Sequence, residues 1–82
     1  MGGQAQNRVQ VLRPGDQGPE VTELQLRLNQ LNLYTGPANG TYDGVTENAV
    51  GNYQLARGIT QDEPGVYGAA TRTRLESETR RP

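Results

Sequence analysis

The sequence predicts an all-α domain of three short helices with two related turn-helix repeats and a short extended segment at its N-terminus. Three observations favour this fold. One stretch has apolar residues at helical spacing, two stretches repeat one pattern, and a chain of 82 residues is too short for a second core. Only 32% of the residues are apolar and none is Cys, so short helices are the fold that so small a core supports.

The first helix has the clearest pattern. Pro19 suits the first helical position, where its missing N–H would have no partner, and Glu20 favours the positive end of the helix dipole. The apolar residues of the buried face then follow at a 3-4-3 spacing: Val21, Leu24, Leu28 and Leu31. The pattern predicts a helix over 19–31, closed by Asn32 in a left-handed conformation.

The second and third helices are predicted from shorter signals. A helix over 44–57 would end at Gly58, and a helix over 70–78 would turn Leu75 inward. The predicted buried face of the longer helix consists of Val45, Ala49, Tyr53 and Ala56, with Val50 beside them.

An internal repeat links these helices to their loops. Residues 40–50 and 65–75 share the frame G-x-Y-x-[GA]-[VA]-T-x-x-x-[VL] without a gap. In this frame Gly allows an unusual backbone angle and Tyr fills the core. The Thr of each copy, Thr46 or Thr71, is predicted to cap its helix. The frame therefore indicates two equivalent turn-into-helix units.

Outside these elements the chain divides into an arm over 1–8, a domain over 9–78 and a polar tail over 79–82. The first residues lack the basic and apolar regions of a signal peptide, so none is expected in this chain. No apolar run reaches five residues, and we expect no membrane contact. A net charge of −1 gives no basic field for nucleic acid.

Several kinds of chemistry are excluded by composition. Without His or Cys the chain has neither an ordinary zinc site nor the usual nucleophile pairs, and without Lys it forms no Schiff base. The acidic pair Asp62 and Glu63 is adjacent in one loop, whereas a glycosidase needs two carboxylates across a cleft. We therefore expect no catalytic residue, no metal and no cofactor.

An ordered series of motifs then covers residues 12–76. It comprises G-D-Q-G-P-E-V at 15–21, N-G-T-Y at 39–42, Y-Q at 53–54 and P-G-V-Y-G-A-A-T at 64–71. This series resembles the bacterial peptidoglycan-binding domain. The resemblance implies a compact three-helix fold, a non-catalytic anchor usually fused to a wall hydrolase, and a ligand in a shallow groove near the repeated loops. Asn39 and Pro64 depart from the family, which often has Asp at both positions.

The candidate ligand residues lie in the two loops. The first group is Tyr34, Asn39, Thr41, Asp43 and Gln54, and the second is Asp62 and Glu63. Tyr34 is the best aromatic candidate, because the other three tyrosines stand where the family has a core aromatic. Two interpretations of Gln25 and Gln54 remain open, since their amides either hold the adjacent loops or contact ligand.

Large apolar residues off the core stripes are the candidates for protein contact: Leu26, Leu33 and Leu55, together with Val9 and Val11. Either the segment over 9–12 folds back over the three leucines, or they form a protein-binding face.

Two functions follow from these alternatives. The first is a non-catalytic module that binds peptidoglycan at the extracellular cell wall. The second is a structural accessory protein of a large assembly, such as a phage capsid or tail, that reuses the fold for protein contacts at the virion surface. The absence of a hydrolase and of an export signal in this chain favours the second. Arginine without lysine fits an actinobacterium or its phage.

Overall fold

The computed structural model describes residues 10–82, which form three helices: α1 (Pro19–Gln30), α2 (Gly44–Arg57) and α3 (Ala69–Glu78). The predicted all-α class is confirmed. The bounds of α2 are those predicted, α1 ends one residue early and α3 begins one residue early. The three helices are joined by a first loop over 31–43 and a second loop over 58–68.

Both helices that precede a loop end in the same way. Asn32 adopts the predicted left-handed conformation with φ of 61°, and Gly58, the predicted end of α2, is also left-handed with φ of 68°. The next amide then bonds back to the helix, with 3.0 Å from Leu33 N to Leu28 O and 2.9 Å from Ile59 N to Gln54 O. These bonds satisfy carbonyls that the helix end would leave without partners.

The core lies between the three helices and is dominated by leucine, valine and tyrosine. It consists of Leu12, Val21, Leu24, Leu28, Tyr34, Tyr42, Ala49, Val50, Tyr53, Tyr67 and Leu75. The prediction that Val45 and Ala56 belong to the core is wrong, because Val45 is 56% exposed and Ala56 is also exposed. Helix α2 buries the face of Thr46 and Tyr53, and the two errors lie roughly 90° around the helix from it.

The N-terminal segment joins the two loops. Leu12 forms an antiparallel bridge with Tyr67, and Gln17 forms one with Thr41. The predicted extended segment is present from Gln10 onward, while Val9 and the arm over 1–8 lie outside the described residues. Leu12 is buried beside Tyr67, whereas Val11 is exposed.

The C-terminal residues lie along α1. Gln30 donates from Nε2 to Arg80 O at 2.7 Å and accepts from Arg80 N at 2.9 Å, so its amide imitates a strand partner. Arg27 donates to Thr79 Oγ1 at 2.8 Å. Over residues 10–82, no helix has both the length and the apolar character to cross a membrane.

Candidate functional site

Each loop is held by one buried glutamine from the preceding helix. In the first loop, Gln25 donates from Nε2 to Thr41 O and to Thr46 Oγ1, both at 3.0 Å. Its Oε1 accepts from Gly40 N at 2.9 Å. Gly40 has a φ of 77°, and a Cβ at that position would lie 2.8 Å from Thr22 Oγ1. The first loop therefore requires glycine where it approaches α1.

The second loop repeats these contacts around Gln54. Its Nε2 donates to Val66 O at 2.9 Å and to Thr71 Oγ1 at 3.0 Å, and its Oε1 accepts from Gly65 N at 2.8 Å. These acceptors and donors occupy the positions in the repeat that the first loop uses. Both glutamines are buried, so the loop-holding interpretation explains their hydrogen bonds.

The two repeat threonines are not helix caps, which corrects the prediction. Each threonine hydroxyl accepts from a glutamine and donates to a carboxylate that caps the helix. Asp43 Oδ1 accepts from Thr46 N and Thr46 Oγ1, both at 3.0 Å. Asp62 Oδ2 accepts from Thr71 N at 2.7 Å and from Thr71 Oγ1 at 2.6 Å.

The capping carboxylates come from different positions. Asp43 directly precedes α2, whereas Asp62 reaches α3 from the middle of the second loop. Gly68 occupies the position before α3, and a Cβ there would lie 2.5 Å from Asp62 Oδ1. The absence of a side chain at Gly68 is what admits Asp62.

Local hydrogen bonds and burial shift several pKa values. The backbone N–H and then the hydroxyl of Thr46 lower the pKa of Asp43, because both donate to the ionised carboxylate. Burial raises the pKa of Tyr42 and of Tyr67, whose hydroxyls stay neutral. The Tyr42 hydroxyl donates to Gly65 O at 2.6 Å, which ties the core to the second loop.

A groove of about 500 Å³ lies between α2 and the second loop. Aliphatic groups of Leu55, Ile59 and Pro64 line it, and Leu55 is 82% exposed. The remaining lining residues are polar or glycine: Glu47, Asn48, Gly51, Asn52, Gln54, Thr60, Asp62 and Gly65. The groove therefore combines an apolar surface with amides and carboxylates.

The structure places few of the predicted ligand residues at this groove. Gln54 and Asp62 line it, and both are engaged in the loop network. Tyr34 is 2% exposed, donates its hydroxyl to Pro37 O and does not line the groove, so its ligand contact stays a prediction that this burial does not favour. The others do not line the groove: Asn39, Thr41, Asp43 and Glu63.

Three polar lining residues on α2 were absent from the predicted set: Glu47, Asn48 and Asn52. A signal for them exists in the sequence. Asn48 and Asn52 are spaced by one helical turn, and Leu55 lies off the core stripe on the same part of the helix. Two amides beside a leucine off the core stripe indicate an exposed face that is partly polar and partly apolar.

The off-stripe leucines have three different environments. Leu33 is partly buried against the core, and Leu55 lines the groove. Leu26 is 38% exposed beside Arg81 and Pro82, in a shallow depression near the start of α1. Leu12, the buried residue of the N-terminal segment, pairs with Tyr67 instead of covering Leu26 or Leu55.

Comparison with known proteins agrees with this geometry. Residues 17–75 match the family model of the peptidoglycan binding domain. The chain is 37% identical over 71 residues to a spore cortex-lytic enzyme of Bacillus cereus, covering 87% of this chain and 27% of the relative. It is 38% identical over 66 residues to a spore cortex-lytic enzyme of Bacillus subtilis, covering 80% of this chain and 21% of the relative. The chain thus spans only 21–27% of the length of these curated relatives.

Solved structures share the fold. The SleB N-terminal domain superposes with a TM-score of 0.79 at 37% identity, covering 87% of this chain and 94% of that one. An endolysin of Burkholderia phage AP3 superposes with a TM-score of 0.76 at 30% identity, covering 89% of this chain and 27% of that one. The ordered motifs, the paired glutamine-held loops and these matches together show that the chain belongs to the peptidoglycan-binding domain family.

Proposed function

We propose that this domain binds bacterial peptidoglycan in the groove between α2 and the second loop, without chemical conversion of the ligand. The observation that carries the proposal is Leu55, a large apolar side chain that is 82% exposed at the rim of a concave, partly polar surface. Exposed leucines are unremarkable singly, but this one lies with Ile59 and Pro64 in a concave site.

The rest of the groove suits a shallow, reversible contact. Asn48 and Asn52 offer amide donors and acceptors to the sugar hydroxyls or peptide groups of the wall. Such a site would concentrate the domain, and any hydrolase fused to it or associated with it, at the extracellular cell wall. The similarity to spore cortex-lytic enzymes and to a phage endolysin supports this role.

The test is co-sedimentation of the purified chain with purified sacculi. The substitution Leu55→Glu places a charge in the groove, and we expect it to weaken binding about tenfold or more, from the loss of roughly 1.5 kcal/mol or more of apolar contact. Leu26→Glu is the matched control, because Leu26 also follows a buried glutamine and lies outside the groove. Failure of the unmodified chain to pellet, or equal pelleting by both variants, would contradict the proposal.

A second role is favoured by Leu26, which stays partly exposed outside the groove. In this alternative the domain is an accessory protein of a larger assembly, such as a phage capsid or tail, and this surface with Val11 contacts protein. For this role the same two variants should have the opposite order of effects. Leu26→Glu would block incorporation into the assembly, whereas Leu55→Glu would leave incorporation intact.

A further inference from the structure

We propose that the groove recognises the stem peptide of peptidoglycan through a free amino group, with Glu47 as the residue that selects it. This inference rests on the proposed function, since it names the part of the wall that the groove contacts. Four features of the groove carry it: its charge, the absence of an ion pair at Glu47 within residues 10–82, the amides of α2 and the absence of an aromatic platform.

The charge of the groove has one sign. Glu47 and Asp62 contribute two carboxylates, and among residues 10–82 no arginine lines the groove. The cation of the same helix, Arg57, is held by Glu78 through a 2.9 Å ion pair. A ligand carboxylate would meet like charge in this groove, whereas an ammonium group would meet complementary charge.

Glu47 is the carboxylate available to a ligand. In the described part of the chain, the ion pairs of acidic side chains involve Glu23, Glu76 and Glu78. Asp62 is already committed to Thr71 at the start of α3. Glu47 instead lies over Gly65, where a Cβ would come within 2.9 Å of Glu47 Cγ. Glycine at 65 therefore leaves room for Glu47 at the groove wall.

The uncharged part of the groove suits a peptide better than a sugar ring. Sugar rings pack well on exposed aromatic faces, but all four tyrosines are buried and the chain has no Phe or Trp. Aliphatic side chains of Leu55, Ile59 and Pro64 match the methyl groups of alanine residues in a stem peptide. Asn48 and Asn52 can pair with its amide groups.

The free amine belongs to the diamino acid of a stem peptide that is not cross-linked. Such an amine is protonated at neutral pH, and cross-linking or acetylation removes its charge. The groove would therefore prefer wall with unlinked peptides. One exposed ion pair of this kind changes affinity by about threefold to fivefold.

The test compares sacculi before and after chemical acetylation of their free amino groups, with binding measured by co-sedimentation at low salt. We expect the unmodified chain to bind acetylated sacculi about threefold to fivefold more weakly. Glu47→Gln should bind untreated sacculi at that weaker level and should lose nothing further on acetylation. Circular dichroism of Glu47→Gln checks that the helices persist.

Glu20→Gln is the matched control, since it makes the same change in net charge on α1 and does not line the groove. It should bind like the unmodified chain and respond to acetylation in the same way. Equal binding to untreated and acetylated sacculi would overturn the inference and leave the proposed function standing. A chain that pellets with neither preparation would overturn both.

Discussion

The two loops of this domain use one hydrogen-bond scheme and differ in what they leave open. In each, a helix glutamine holds a glycine N–H, a carbonyl and a threonine hydroxyl. The first loop then closes on itself, because Tyr34 packs into the core beneath it. In the second loop, Ile59 follows the end of α2 and is only partly buried. The groove lies between this loop and α2.

The difference lies also in how each helix start is capped. Asp43 caps α2 from the adjacent position, as most capping residues do. Asp62 caps α3 from across the second loop and so fixes that loop to the helix. The hydrogen bonds from Thr71 to Asp62 therefore have two effects in the second unit. They cap the start of α3, and they hold Asp62 in one wall of the groove. The two units therefore share a hydrogen-bond scheme but differ in the surface that they form.

The largest effect should come from removing the glutamines. Gln25→Leu keeps about the same side-chain volume but leaves the buried Gly40 N–H without a partner and removes the bonds to Thr41 O and Thr46 Oγ1. We expect a loss of about 3–5 kcal/mol in the free energy of unfolding. Gln54→Leu should cost about 2–3 kcal/mol, because water from the groove can replace some of its bonds. Urea denaturation measures both values.

The exposed Gln61 provides the control for this pair. Gln61→Leu should change the free energy of unfolding by no more than about 0.5 kcal/mol. A larger loss for Gln54→Leu than for Gln25→Leu would show that the first loop, and not the second, is the more open to water.

Moving the capping carboxylate of α3 from position 62 to position 68 should have an intermediate effect on stability. Gly68→Asp alone places a Cβ against Asp62 Oδ1, and we expect about 2 kcal/mol of destabilisation from this overlap and the like charge. Asp62→Ala alone should cost about 1 kcal/mol through loss of the cap. The double variant should restore a local cap like that of Asp43, so its cost should be smaller than either single cost.

Thermal unfolding of the four proteins in this cycle measures the coupling between the two positions. Strictly additive costs would mean that Asp62 and the position before α3 do not compete for one capping site. The double variant also separates stability from binding, because it keeps the cap of α3 and removes Asp62 from the groove wall.

The smallest effect is a change in the stability of the fold at low pH. Bonds from Arg57, and then from Arg74 and Tyr53, outweigh partial burial and lower the pKa of Glu78 from 4.5 to about 2. A carboxyl whose pKa is depressed by folding stabilises the fold above its unfolded value, and that stability is lost as the pH falls through the folded value. Burial and the Glu78 hydrogen bond also raise the pKa of Tyr53 to about 12.

We therefore expect Glu78→Gln to be less stable than the unmodified chain at pH 7, with the gap narrowing as the pH falls from about 4.5 to about 2. Urea midpoints at several pH values measure that gap. A gap that stays constant over this range would show that Glu78 is not held in its ionised form.

The helices could be predicted because their signals are local. Pro19, the left-handed Asn32 and Gly58, and the repeated Thr frame act within a few residues of the chain, and the structure has these elements where the sequence placed them. The ordered motifs identified the family, which the family match over residues 17–75 confirms.

The groove and the role of Tyr34 could not be predicted in the same way. Local sequence places Tyr34 after a helix end, but its burial depends on Pro37, which accepts its hydroxyl, and on the packing of the first loop. The predicted caps failed for a similar reason, since Asp62 reaches Thr71 only through the shape of a whole loop. Val45 was wrongly predicted to be buried, because the polar neighbour Thr46 is the residue that α2 turns into the core.

The N-terminal segment has a consequence for how the chain folds. Tyr42 and Tyr67, equivalent residues of the two units, both pair with it, through Gly15 and Asp16 in one case and Leu12 in the other. Helices form from neighbouring residues, but these pairings join distant parts of the chain, and such closures slow folding. The domain should therefore fold more slowly than a plain three-helix bundle, and its two units should unfold in a single cooperative step.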